Sequence, residues 1–582
     1  MNRIELLRDY MKKSGVNACI IPTADPHLNE YIPECYKLRQ WLSGFTGSAG
    51  TLVVTENDSG LWTDGRYYIQ AEKELEGTDI KLYRASEKEC VKIHTFLQDK
   101  LKSGSFVGVD GRLFSKNQLD KIISELEKEK INVNTDFRPE KIWSSCPNKP
   151  CEKAFVLEEQ YSGESLCKKL EKVRKKMKEK SFTHYLSSSP ECIMWLLNIR
   201  GNDIRHTPVM LSYILISQNN AILYTDREKI NEEVERYLNN NKISLKDYDA
   251  IFADLGNTDE NSFLAADYSM TNYNLIKAVK CAYKDCDDFI YNLKCIKTEK
   301  EIENIKKAYI KENIALTKSF YEIYHSSGIN ECDVSDIIEK HRRKSEGYFS
   351  PSFDTIAAFG KNAAMMHYSA HESSCAKIEN SGLLLVDTGG QYFEGTTDTT
   401  RTLVIGDITD EQCENLTLVL KGNISLLMSV FPEGSTGQSI DMAARAPLWK
   451  KGIDYRCGTG HGVGCFLSVH EGPQRISQLC KEMLLPGMTV TDEPGVYIEG
   501  EYGIRIENHL CVRRFKKTEY GEFLCFEVLN FCPIGTAHLK NELLDKEQLK
   551  WLNSYNERCR ELLLEHLTKE ENEWLKIYTK AI

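Results

Sequence analysis

The sequence has no apolar run approaching the roughly 18 residues that span a bilayer, so a membrane-spanning helix is not expected. It has no surplus of basic charge: the formal net charge is −11, which argues against a nucleic-acid or anionic-membrane partner. Although it carries 20 cysteines, it has no CxxC pair and no zinc-ribbon spacing; Cys146/Cys151 and Cys281/Cys286 are the nearest neighbours of note. The opening residues, MNRIELLRDYMKKSG, contain no apolar core followed by a small-residue cleavage site, so no secretory signal is expected there. Free thiols in a reducing compartment, and a cytoplasmic location, are the corresponding expectations.

What is present is ordinary globular composition, 41% hydrophobic and 28% charged, over 582 residues, which is too long for a single core. The first half contains a diverged repeat. LRDYM at 7–11 matches VRKKM at 173–177, and each is followed by a strand-like stretch, NACIIPTA at 18–25 and FTHYLSSS at 182–189. LWTDGR at 61–66 then echoes LYTDRE at 223–228. Helical patterns alternate with β-rich runs such as GTLVVTE and SYILIS, which predicts two similar α/β layer domains. A Pro-, Ser- and Cys-rich stretch near 137–154 marks the first boundary. Near residues 295–297 a second boundary precedes Thr298-Glu-Lys-Glu301. Those four residues predict a capping box opening a helix, with Ile302, Ile305, Ala308 and Tyr309 on one face. The expected domains are 1–145, 155–296 and 297–536, followed by a helical tail over 537–582. The tail's Leu549, Trp551, Leu552, Leu562, Leu563 and Trp574 are expected to pack either on the chain's own body or on a second subunit.

The candidate chemistry lies in the third region. SGLLLVDTGG reads as a buried strand ending in Asp387, and GQYFEGTTDTTRT as a turn at Phe393-Glu394-Gly395 followed by a strand carrying Asp398. Such a hairpin brings the two carboxylates together. A buried Asp needs a partner, and the choice lies between a metal ion and an arginine, for which Arg401 is near in sequence. In GTGHGVGCFLSVHEGP, glycines flank His461, so the backbone can approach a ligand or ion closely, and His470 follows. The run is not a phosphate loop, because it lacks the Gly-Lys-Ser/Thr ending. In TDEPGVYIEGEYGIRIENHLCV two strands joined by a short turn carry Glu493 and Glu507, with Arg505 and Glu507 on one face. A surface Arg–Glu pair is the alternative reading there. Four carboxylates and one imidazole make a hard anionic donor set, suited to Mn²⁺-like ions.

Asp–Asp, His, Glu, Glu in this order, with LSGFTGSAGT, LWTDGRYYIQA, WLLNIRGNDIRHTPV and MMHYSA, resembles the pita-bread metallopeptidases. Among them it is most similar to the three-domain, cytosolic type of Xaa-Pro aminopeptidase, over nearly the whole chain. The fold class this implies is α/β (α+β): two creatinase-N-terminal-like domains, then a pita-bread catalytic domain with a helical tail. The resemblance implies two Mn²⁺ per subunit, with Co²⁺, Fe²⁺ or Zn²⁺ as possible substitutes. Asp387, Asp398, His461, Glu493 and Glu507 would be their ligands, with a water or hydroxide between the ions as nucleophile. It also implies catalytic roles for His367, His470, Glu493 and Arg505, and a substrate pocket including His367, Cys457, His470 and Tyr497. Peptides with proline in second position and a homodimer follow from it too. Relatives place a histidine four residues before the metal histidine, where this chain has Cys457; cysteine is a poor hydrogen-bond donor, so substrate preference is expected to differ, and a thiol there could expose activity to oxidation. A prolidase cutting only dipeptides, and a non-catalytic binding protein on the same fold, are the competing expectations. The two N-terminal units speak against the first and the intact ligand set against the second.

Overall fold

The computed structural model describes residues 2–582 and divides into two compact units. One comprises Met1–Val156 with Ser165–Ile290, the other Leu157–Glu164 with Tyr291–Ile582.

The first unit contains two six-stranded sheets. One orders its strands Ile80–Arg84, Ser59–Thr63, Thr51–Thr55, Ala18–Pro22, Phe106–Gly108, Asn132–Asn134. The other runs Ile243–Lys246, Ala221–Tyr224, Tyr213–Ser217, His184–Ser187, Phe263–Ala266, Ala282–Asp285. The two orders are the same, and so are the directions. Ala18–Pro22 and His184–Ser187 each lie antiparallel to one neighbour and parallel to the other. The sequence repeat is therefore a repeat of topology. NACIIPTA and FTHYLSSS supply equivalent strands, and the two TD dipeptides follow equivalent strand ends. The helices before those strands bury matching i, i+4 pairs, Leu7/Met11 and Val173/Met177. Each such side chain contributes about 1.5–3 kcal/mol when fully buried.

The second unit opens on the long helix Glu299–Tyr324. Its capping box is present: Thr298 accepts from the Glu301 amide, and the Glu301 carboxylate accepts from the Thr298 amide at 2.8 Å. Ile302, Ile305, Ala308 and Tyr309 are all buried, as the periodicity predicts. A three-stranded antiparallel sheet, Ile356–Phe359, Gly382–Thr388 and Thr399–Ile405, stands beside a four-stranded one. The latter orders Val430–Pro432, Gly521–Val528, Asn508–Thr518, Thr489–Asp492. Two hairpins, Gly460–Gly462 with Glu471–Ile476 and Gly495–Ile498 with Tyr502–Arg505, complete the site-bearing framework. Helices Asp410–Leu427 and Gly437–Trp449 share an apolar core with it.

The tail forms helices Lys546–Leu563 and Lys569–Tyr578, each with a capping box. Leu552 and Leu563 are buried, Trp551 stacks on Tyr555 at 5.0 Å and Trp574 on Tyr578 at 4.9 Å. Those apolar side chains thus pack within the second unit. Among the described residues no disulfide joins any of the twenty cysteines. Among the described residues no helix is long and apolar enough to cross a membrane.

Candidate metal centre

Asp387 and Asp398 meet because their strands are adjacent. Gly382–Thr388 pairs antiparallel with Thr399–Ile405, with Asp387 opposite Thr400 and Thr388 opposite Thr399. The chain between them closes through Gly390–Tyr392 and Gly395–Thr396, with Phe393 and Glu394 at the turn. Asp387 does not pair with Arg401. That side chain is buried and donates to the carbonyls of Thr400, Glu507, Cys532 and Pro533 and to the Tyr555 hydroxyl. Asp387 Oδ2 accepts instead from Arg505 Nη2 at 2.5 Å, and its Oδ1 is buried without a hydrogen-bond partner.

Glu493 and Glu507 do not lie within strands. They sit at the two places where the chain leaves the four-stranded sheet for the Gly495–Ile498/Tyr502–Arg505 hairpin and returns. Arg505 and Glu507 nevertheless share a face, as the alternation predicts: Arg505 Nε and Glu507 Oε2 both meet the Thr400 hydroxyl, while Ile504 and Ile506 pack in the apolar core. The Glu507 amide donates to the Thr400 carbonyl at 3.1 Å, which turns the residue toward the Asp398 strand. Nor is there a surface ion pair here: Arg505 is 3% and Glu507 1% exposed. Arg505 Nε lies 3.9 Å from Glu493 Oε2, and its Nη1 donates to the Tyr497 hydroxyl at 2.6 Å.

His461 is brought in on the short strand Gly460–Gly462. Its flanking glycines are needed because backbone and side chains crowd them. A Cβ at Gly460 would lie 1.9 Å from the Thr491 carbonyl oxygen, and one at Gly462 2.2 Å from Gln474 Nε2. His461 Nδ1 is 2.8 Å from the Gly462 carbonyl, which leaves Nε2 facing the acids: 3.5 Å from Asp398 Oδ2 and 3.6 Å from Glu493 Oε1. One ligand atom each from Asp398, His461 and Glu507 lie within 4.8 Å of one another. Three of the five expected ligands are thus gathered, with Glu493 beside His461 and Asp387 joined to Arg505.

Electrostatics fits a cation. Burial pushes Asp398 and Glu507 well above the usual carboxylate range, and neighbouring carboxylates push them further. Burial raises Glu493 to about 7, opposed by Arg505 and reinforced by Asp387. Acids crowded this closely, with one orphaned Asp387 oxygen, are costly unless a positive charge compensates them.

The remaining expected residues are placed unequally. The His470 ring meets His461 edge-on, with centroids 4.3 Å apart. Cys457 is half-buried; burial pushes its thiol up to about 12, with the Glu493 charge adding to the effect. Tyr497 is raised mainly by burial and lowered by Arg505. His367 lies exposed in a turn, and the preceding Met366 carbonyl is 3.5 Å from Arg505 Nη2. Glu331 holds the flanks of that turn, accepting from the Phe359 and Ala376 amides and from Tyr368.

Three supporting residues were not singled out in the sequence. Thr400 donates to Glu507 at 2.9 Å, Thr491 lies 3.5 Å from Glu493, and the Tyr309 hydroxyl accepts from the Asp398 amide at 3.0 Å. The threonines lie two residues from an acid in sequence, Thr400 from Asp398 in TTDTTRT and Thr491 from Glu493 in TDEPG. Tyr309 read only as part of an apolar helix face.

Residues 303–514 match the model described as "Metallopeptidase family M24", and 522–582 match "C-terminal region of peptidase_M24". "Creatinase/Prolidase N-terminal domain" matches twice, over 3–137 and 145–301. Fold and site together define a metallopeptidase of the pita-bread class. A "Probable Xaa-Pro aminopeptidase P" of Neurospora crassa is 36% identical, covering 99% of this chain and 88% of the relative. The crystal structure of X-prolyl aminopeptidase from Caenorhabditis elegans, described as "a cytosolic enzyme with a di-nuclear active site", is 30% identical with a TM-score of 0.95, covering all of both chains. Prolidase from Pyrococcus furiosus, 28% identical with a TM-score of 0.50, covers 61% of this chain and 98% of its own. The chain belongs to the Xaa-Pro aminopeptidase P family of M24 metallopeptidases.

Proposed function

We infer that the protein is a metal-dependent aminopeptidase that hydrolyses the bond between an N-terminal residue and a following proline. The observation that carries this reading is the convergence of Asp398, His461 and Glu507 within 4.8 Å, beside Asp387 and Glu493, in a chain that matches an X-prolyl aminopeptidase from end to end. The five residues would hold two divalent cations, and manganese is the proposed ion because the donors are hard oxygens and one imidazole. When bound, such ions supply Lewis-acid polarisation and lower the pKa of water toward neutrality.

The chain's own residues supply the rest. Arg505 orients Asp387 and Glu493 from behind. Glu493, 3.6 Å from His461 Nε2, would accept and pass a proton. His470, edge-on to His461, would donate to the developing oxyanion. His367 would protonate the leaving proline nitrogen, a secondary amine. Tyr497 and Cys457 would line the substrate pocket, where Cys457 offers an apolar surface and little hydrogen bonding. The acid cluster would also attract the free N-terminal amine, which accounts for exopeptidase action. A cytoplasmic location and a homodimer are part of this proposal.

Replacement of Asp398 by Asn, His461 by Ala or Glu507 by Gln tests it. Each variant should hold fewer than two Mn²⁺ per chain and lose at least about 100-fold in Xaa-Pro hydrolysis. A variant retaining full rate would refute the assignment.

A further inference from the structure

We propose that Lys294 and Lys297 are positioning residues for His470, acting through Glu471; the proposal rests on the peptidase reading above. Glu471 follows His470 directly and opens the strand Glu471–Ile476. Its carboxylate is buried and held at both oxygens. Lys294 Nζ donates to Oε2 at 2.7 Å, and Lys297 Nζ donates to Oε1. All three side chains are at most 1% exposed.

The clamp is itself anchored. Lys297 Nζ donates to the Lys294 carbonyl at 2.9 Å, the Lys297 amide donates to the Gly487 carbonyl at 2.8 Å, and Ile296 bridges to Met488. On the other side, Glu471 pairs with Gly462 where the strand register shifts between His461 and Gly462. The clamp therefore holds the cross-strand pair Gly462–Glu471, which adjoins both histidines, whose rings meet at 4.3 Å. Close packing continues at Gly472, where a Cβ would lie 2.4 Å from the Tyr291 hydroxyl.

Charge balance points to a role beyond stability. One lysine neutralises Glu471. Burying a second cation beside it costs desolvation free energy. What the second lysine adds is geometric: with both oxygens held, the carboxylate cannot rotate, and the backbone that carries His470 is fixed. An imidazole displaced by about 1 Å loses its alignment with a developing oxyanion.

The test is a double-mutant cycle on the full chain with Mn²⁺ and an Xaa-Pro-Yaa peptide. Lys297→Met leaves the neutral Lys294–Glu471 pair. It should lower kcat about 10–100-fold with KM nearly unchanged. In a His470→Ala background the same change should alter kcat less than about twofold. Lys297→Arg should recover part of the rate. An unchanged kcat, or an equal fall in both backgrounds, overturns the proposal. If Lys297→Met does not fold, Lys294→Met enters the same cycle, since it leaves the other pair. A wild type that cleaves no Xaa-Pro peptide would instead refute the peptidase reading. The clamp is then judged on the crystal structure of the variant: a displaced or disordered His470 ring supports it, and a superimposable one overturns it.

Discussion

Arg505 is where the site's side chains converge. Its guanidinium reaches Asp387 at 2.5 Å, the Tyr497 hydroxyl at 2.6 Å and Glu493 at 3.9 Å, along three different directions. A lysine ammonium is a single point on a flexible stem and cannot serve all three. Arg505→Lys is therefore expected to lower kcat/KM about 10–100-fold at saturating Mn²⁺, measured by steady-state kinetics. Cys457 leads to a different expectation. Its thiol is raised to about 12, mainly by burial, so little thiolate is present at neutral pH to react with peroxide. This argues against the oxidation sensitivity that a thiol in the pocket suggests. Peroxide should leave the rate within about twofold of the untreated enzyme. A large loss that disappears in Cys457→Ala would contradict the assignment.

At the scale of elements, the site is made by close backbone approaches. Gly460 passes so near the Thr491 carbonyl that a Cβ would lie 1.9 Å from it. Backbone cannot yield as a flexible side chain can, so Gly460→Ala should push the His461 strand away from the acids. The expected cost is about 1–3 kcal/mol of stability together with weakened Mn²⁺ binding, read by thermal unfolding and metal titration. Much of this scaffold was legible beforehand. The capping box at Thr298, the turn at Phe393–Glu394 and the repeated strand pairs all rest on local patterns that the structure reproduces. The glycine-flanked His461 was legible as a point of close approach, though the near neighbour is the protein's own backbone. The positions of Glu493 and Glu507 were not, because a chain passing from one sheet to another keeps an apolar alternation while its hydrogen bonding breaks. Nor was the partner of Asp387: Arg401 is nearer in sequence, but it is committed to carbonyls and the Tyr555 hydroxyl, and Arg505 arrives from 118 residues away. Contacts of that separation carry no local signature.

For the whole molecule, the buried acids tie folding to metal. Asp398 and Glu507 have folded-state pKa values well above their unfolded ones. Their contribution to stability is present below the unfolded value of about 4 and is lost as pH rises through the folded value. A chelated enzyme should therefore be penalised more at pH 8 than at pH 5. Mn²⁺ at about 100 times its Kd should return about 2.7 kcal/mol per site, and at one fixed Mn²⁺ concentration the gain in thermal midpoint should grow with pH, because the deprotonated acids bind the ion more tightly. A gain that shrinks between pH 5 and pH 8 would contradict this. This chain carries two creatinase-type domains, whereas the archaeal prolidase structure covers only 61% of it. The most direct measurement is product analysis for an Xaa-Pro-Yaa tripeptide against the Xaa-Pro dipeptide, with Mn²⁺ and with chelator. The account predicts free Xaa and Pro-Yaa, formed faster than dipeptide cleavage and abolished by the chelator. Preference for the dipeptide, or no hydrolysis by the fully metal-loaded protein, would contradict it.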